Sequence, residues 1–243
     1  MSTKVYTDGS KPSRGDRVHD ELQQALLEGA IDPDARLTEP KVGAYFGVSR
    51  TPVREAMNRL CASGLLRRCD FGFAPVRPTL SGVRDLYELR LAIELAGIRR
   101  AIDNENVSHD LAALGAERDR WLEFEKDIPP QQPEFVLEDE KFHLAVLAAA
   151  GNPEMVAALE SINIRIRRVR MYDFMVNMRI ETTISEHLAI LDALIDGNLP
   201  AGEALLRTHI GASLDVVIDR VQKAIVAMDQ TDYTATEIGR ALR

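Results

Sequence analysis

Asp139 and His143 stand four residues apart, so a helix through them stacks a carboxylate and an imidazole on one face. His187 and His209 follow on what read as two later helices, in a chain with only five histidines. Three imidazoles and a carboxylate suit a borderline divalent cation such as Zn²⁺ or Ni²⁺, and helical bundles build such sites from inward side chains of facing helices. The four residues also fit a plainer description, as solvated histidines and a surface Asp–His ion pair. Spacing alone does not separate the two.

A second chemistry is carried by FGVSRTPVREAMNRL, residues 46–60. Val53, Ala56, Met57 and Leu60 fall at i, i+3, i+4 and i+7, one buried helical stripe. Thr51, Arg54 and Asn58 face the other way, with Arg50 at the leading end. Ser49 or Thr51 can cap the first turn, which also tolerates Pro52. Such a helix offers two arginines to the major groove, where a guanidinium fork matches guanine O6 and N7. Two arginines four apart are often merely solvated. Here the context supports DNA reading: a short helix over about 38–46 precedes, across the turn Gly47-Val48, and a strand–turn–strand wing follows.

The elements that must position these groups can be read in order. Residues 1–15 read as a disordered leader, and a first helix covers 16–29, with Val18, Leu22, Ala25 and Leu26 buried and Gly29 as its stop. Thr38 caps the second helix. After the recognition helix, Leu65–Arg68 and Phe73–Val76 pair around the turn Cys69-Asp70-Phe71-Gly72. Residues 16–77 thus predict a winged helix-turn-helix. After the connector Arg77-Pro78-Thr79, the pattern is helical, with segments at 80–102 (capped by Ser81), 108–127, 134–150, 154–178, 180–196 and 200–228. The fourth of these is expected to break near Tyr172-Asp173. The fold class is mainly α, with an all-α bundle of six to seven helices over 79–229. For the tail, 230–243, packing and fraying are both open.

Composition bounds the answer. The chain has 243 residues, 45% hydrophobic and 28% charged, as in an ordinary globular protein. It holds no apolar run long enough for a membrane span and no signal peptide. Cys61 and Cys69 make neither a close metal pair nor a disulfide framework, which points to a reducing cytoplasm. The net charge of −8 argues against nucleic acid at first sight, yet residues 36–77 carry 8 Lys and Arg against 3 Asp and Glu. A basic module on an acidic body is compatible with DNA binding, because the local field attracts phosphate.

The run LTEPKVGAYFGVSRTPVREAMNRLCASGLL resembles the DNA-binding half of the GntR family of bacterial transcription regulators. EDEKFHLAVLAAAGNP, EHLAILDALIDGN and LLRTHI resemble the FCD ligand-binding domain of its FadR-type branch. The resemblance covers about residues 17–228. It implies that Arg50 and Arg54 read bases, that Lys41, Thr51 and the backbone around Gly72 help hold the duplex, and that Asp139, His143, His187 and His209 bind a divalent metal. Zn²⁺ is the first choice, with Ni²⁺ or Mn²⁺ as alternatives. Arg90 would hold an acidic effector at open coordination positions, although an i,i+4 ion pair with Glu94 competes for it. Pro40 and Phe71 depart from residues that often touch DNA in relatives, and Asn198 from an aspartate after Gly197. The expectation is a homodimeric, cytoplasmic repressor of a palindromic operator that answers to a small carboxylate. A metalloenzyme using the Asp/His set, or a sensor of the metal itself, is the alternative.

Overall fold

The computed structural model describes residues 12–176, 179–230 and 234–242. The chain forms two compact units, one holding residues up to Arg77 together with those from Gln230 onward, the other running from Pro78 to Asp229.

In the first unit, α1 (Arg14–Leu27) begins two residues earlier than expected. The cause is a capping box: Asp16 N–H donates to Ser13 Oγ, and Ser13 N–H donates back to the Asp16 carboxylate. The expected leader is therefore shorter by its last residues, while 1–11 lie outside the described residues. Thr38 caps α2 (Glu39–Phe46), accepting from Lys41 N–H, and the helix ends at Gly47 with φ 64°. That left-handed turn suits a residue without Cβ and sets the angle to the next helix.

α3 (Arg50–Ala62) follows Ser49, but neither expected cap operates: Ser49 makes no side-chain cap bond, and Thr51 lies inside the helix. Val53, Ala56, Met57 and Leu60 are buried as the periodicity required. β1 (Leu66–Cys69) and β2 (Gly72–Pro75) pair antiparallel from Leu66↔Pro75 to Cys69↔Gly72. The turn is thus only Asp70-Phe71, tighter than the four residues expected. Leu37 exchanges both backbone hydrogen bonds with Phe73, at 2.8 and 2.9 Å. A Cβ on Gly72, at φ 125°, would collide with the Leu37 carbonyl, so this glycine is fixed by a close backbone approach.

The second unit contains α4 (Leu80–Asp103), α5 (Leu111–Lys126), α6 (Phe135–Ala149), α7 (Pro153–Val176), α8 (Ile180–Ile195) and α9 (Leu199–Asp229). Thr79, not Ser81, caps α4; its backbone is extended and its hydroxyl accepts from Gly82 N–H, whereas Ser81 is already helical. Asp110 caps α5 through two backbone N–H groups. α7 runs through Tyr172-Asp173 without the expected break, having neither Gly nor Pro after its first residue. The main core is centred on Trp121, packed edge-on against Phe124, Phe135 and Phe142. A smaller core joins α4 and α7 through Val83, Leu86, Tyr87, Ile162, Ile166 and Val169.

After α9 the chain returns to the first unit. Thr236 caps α10 (Glu237–Leu242), and Leu242 and Ile238 join the core made by α1, α2, α3 and the wing. The tail therefore packs. Among the described residues, no helix is long and apolar enough to cross a membrane.

Candidate functional site

On the first unit, Arg50, Thr51 and Arg54 are all exposed at the N-terminal half of α3, the end that a recognition helix presents to base edges. Arg54 is not idle: its Nε and Nη2 donate to the two Glu39 carboxylate oxygens at 2.7 and 2.9 Å. Glu39 opens α2, so this bidentate pair ties the two helices of the motif together across their solvent side. Lys41 is half-buried on α2. Asn58 accepts from Arg68 of β1 at 2.7 Å. At the wing tip Phe71 is 72% exposed, with the Arg36 guanidinium over its ring. Gly72 is held by Leu37, so its conformation serves the wing.

In the second unit, α6, α8 and α9 bring Asp139, His143, His187 and His209 together, one ligand atom from each lying within 4.8 Å of the others. His209 Nε2 is 3.2 Å from His143 Nε2 and 3.1 Å from His187 Nε2. Asp139 Oδ2 is 3.4 Å from His143 Nε2, and its Oδ1 is 3.7 Å from His187 Nε2. Donors about 2.0–2.1 Å from a tetrahedral Zn²⁺ stand about 3.3 Å apart, so this is the spacing of a coordination shell.

Proton positions test the same point. His143 Nδ1 lies 2.5 Å from Glu94, and His209 Nδ1 lies 2.7 Å from Glu186. A carboxylate can only accept, so both rings carry their proton on Nδ1 and turn a bare Nε2 lone pair towards the other. Two lone pairs at 3.2 Å repel unless something positive lies between them. Burial and the nearby Arg90 guanidinium hold His143 down to about 4, so an extra proton is a poor candidate. Burial and His209 likewise hold His187 well below its ordinary range. A divalent cation fits this donor set. His187 is oriented differently, by Phe142 stacked on its ring at 3.5 Å and Trp121 edge-on at 4.2 Å, and its Nδ1 is buried without a partner among the described residues.

Burial would raise the Asp139 carboxyl, but Arg170, His143 and His187 outweigh it and keep it ionised, well below the usual range. Burial opposes Glu94 too, and His143 and Arg90 pull it down to about 2. Arg90 makes the i,i+4 ion pair with Glu94 that competes for it in sequence. Its Nε donates to Glu94 at 2.6 Å, and it also lines a cavity of about 40 Å³ with Tyr87, Asp139, Arg170, Arg179, Thr183 and His209 among its walls. A cavity of that size takes a small molecule and not a large one.

Sequence reasoning missed the orienting carboxylates Glu94 and Glu186, the cavity arginines Arg170 and Arg179, and the Glu39–Arg54 pair. Glu186 could have been found, since it immediately precedes His187. In sequence, Glu94 stands out only as an i,i+4 partner for Arg90.

Comparison with known proteins bears on both units. The FCD domain family matches residues 85–212, and the family of bacterial regulatory proteins, gntR family, matches residues 14–70. The Nta operon transcriptional regulator of Aminobacter aminovorans is 30% identical, over 79% of this chain and 89% of its own. The gluconate operon transcriptional repressor of Bacillus subtilis is 30% identical over 58% of this chain and 56% of its own. The crystal structure of a transcriptional regulator GntR from Rhodococcus sp. RHA1 is 25% identical, with a TM-score of 0.62, over 86% of this chain and 99% of that one.

Proposed function

Because the chain belongs to the GntR family of bacterial transcription regulators, with an FCD domain behind its winged helix-turn-helix, we propose that it is a metal-containing repressor released from its operator by a small carboxylate. The family is one of regulators and not of enzymes, its DNA-binding half meets operator DNA, and its FCD half meets small-molecule effectors. The observation that carries the finer reading is the convergence of three imidazole Nε2 atoms and Asp139 beside a cavity lined by arginines.

His143, His187, His209 and Asp139 would hold the cation, with Zn²⁺ suited to the donor set. When bound, it would supply a Lewis-acidic anchor for one carboxylate of the effector. Glu94 and Glu186 fix the tautomer and orientation of two ligand rings, and the Phe142 stack fixes the third. Arg90 sits on α4, the helix that follows the wing after residues 76–79, and it faces the cavity as well as Glu94. An acid that draws on Arg90 therefore acts on the first helix after the DNA-reading unit. The shift in DNA affinity can be no larger than the acid's preference for one state of the protein over the other.

At the DNA end, two copies related by a two-fold axis would present Arg50 and Arg54 to a near-palindromic operator in the cytoplasm. Phosphate contacts would give affinity that falls steeply with salt, while the two arginines discriminate sequence. The gluconate operon repressor among its relatives supports repression as the sign of regulation.

The test starts from a duplex selected from random sequence by the purified protein. Fluorescence anisotropy then follows its release by carboxylates and, separately, by chelation. Release by an acid with metal retained supports the reading. Release by chelation alone, with no response to any acid, replaces it with metal sensing. Failure to select any duplex removes the DNA half.

A further inference from the structure

The charges at the cavity suggest which class of acid it takes. Arg90, Arg170 and Arg179 line it, and Arg167 lies beside Arg170 on α7. Among the described side chains each has an answering carboxylate. Arg90 pairs with Glu94, Arg170 with Asp139, Arg179 with Glu186 at 3.4 Å, and Arg167 with both oxygens of Glu140. With the imidazoles neutral, as metal ligands must be, these protein groups balance to zero. A divalent cation then adds two positive charges where Arg90, Asp139, His143 and His187 have almost no access to water. Unbalanced charge in such a place is costly, so the balancing charge must come with the ligand. A monocarboxylate leaves one positive charge uncompensated, and a dianion leaves none.

A second observation points the same way. Arg170 is 6% exposed and lines the cavity, yet among the described residues its Nη1 makes no hydrogen bond, and Glu140 Oε1 is 3.9 Å from it. A buried guanidinium N–H without an acceptor is a vacancy for one. The small volume excludes a large polyanion. We propose that the effector is a small dicarboxylate, one carboxylate answering the cation and the other answering Arg170, with Arg179 assisting at the more exposed side. The proposal rests on the reading that a cation occupies the imidazole cluster.

Calorimetry on the full-length, Zn²⁺-loaded protein tests it, with malonate and succinate against acetate and propionate, and with metal content measured on the same samples. The dicarboxylates should bind at least about tenfold tighter than their monocarboxylate counterparts, the worth of one charge-assisted hydrogen bond. Arg170→Gln should erase that margin. Because Arg170 is buried, the partly exposed Arg179→Gln provides a second variant, which should narrow the margin severalfold. Equal affinity for the two classes on metal-loaded protein overturns the dicarboxylate alone, as does a margin that survives both substitutions. Inorganic phosphate binding as tightly as the dicarboxylates also overturns it, since charge without two carboxylates would then suffice. Less than one metal per chain overturns the underlying reading, and this inference with it.

Discussion

The two candidate sites solve opposite problems with the same side chains. On α3, arginines stand in water and their charges need no partner, so the Arg54–Glu39 pair adds little to stability. Around His143, arginines and carboxylates are almost fully buried, and each must be matched or the fold suffers. An exposed site can therefore come from one helix and its periodicity, and its residues can change partner when DNA arrives. A buried site has to be assembled from five helices at once, α4 and α6 to α9, and its charges are fixed before any ligand enters.

That contrast can be broken by experiment, most forcefully with pH. His143 sits at about 4 in the fold against an ordinary value of 6.5, so between those values the unfolded chain takes up a proton that the bundle refuses. In metal-free protein, stability present above about pH 6.5 should drain away as pH falls towards 4, by up to about 3 kcal/mol from this ring alone. The single tryptophan, Trp121, lies in the bundle core, so its fluorescence during urea unfolding reports that unit directly. A flat profile over this range would remove the buried, neutral imidazole.

Next in size is the ligand set. His209→Ala should weaken Zn²⁺ binding by about 100-fold or more, measured by competition with a chromogenic chelator. Glu94→Gln, which keeps shape but weakens the hold on His143 Nδ1, should lower it about 10–100-fold. A smaller loss from removing the ligand His209 than from weakening the orienting carboxylate of His143 would invert the assignment.

The exposed site should respond more mildly. Arg50→Ala should cost about 1–3 kcal/mol of operator affinity and relax one base position, seen by anisotropy on a set of single-base operator variants. Glu39→Gln should change stability by less than about 1 kcal/mol and raise operator affinity modestly by releasing Arg54. A drop in affinity would mean that Arg54 reads DNA only while Glu39 holds it.

The same contrast explains what could be read from the chain. The stripe Val53, Ala56, Met57, Leu60 encodes α3 locally, and the Gly47 turn and the wing follow from neighbouring residues. The ligand types in Asp139, His143, His187 and His209 are visible because histidine is scarce. The carboxylate support of His143 was hidden by distance, since Glu94 is 49 positions away. The start of α1 slipped by two residues because Ser13 caps it, and at α4 the start held while the cap moved two residues outward, from Ser81 to Thr79. The tail could not be read at all, because six residues of α10 carry no periodicity long enough to point to a distant groove.

That short final helix matters to anyone who engineers the protein. The first unit is completed by residues from both ends of the chain: Leu242 is fully buried in a core otherwise built before Arg77. A DNA-reading fragment trimmed at Arg77 would lack one wall and expose the flank of α2 that Ile238 and Leu242 cover. A segment fused directly after α10 would be joined to the DNA-reading unit, although in sequence α10 follows the effector bundle.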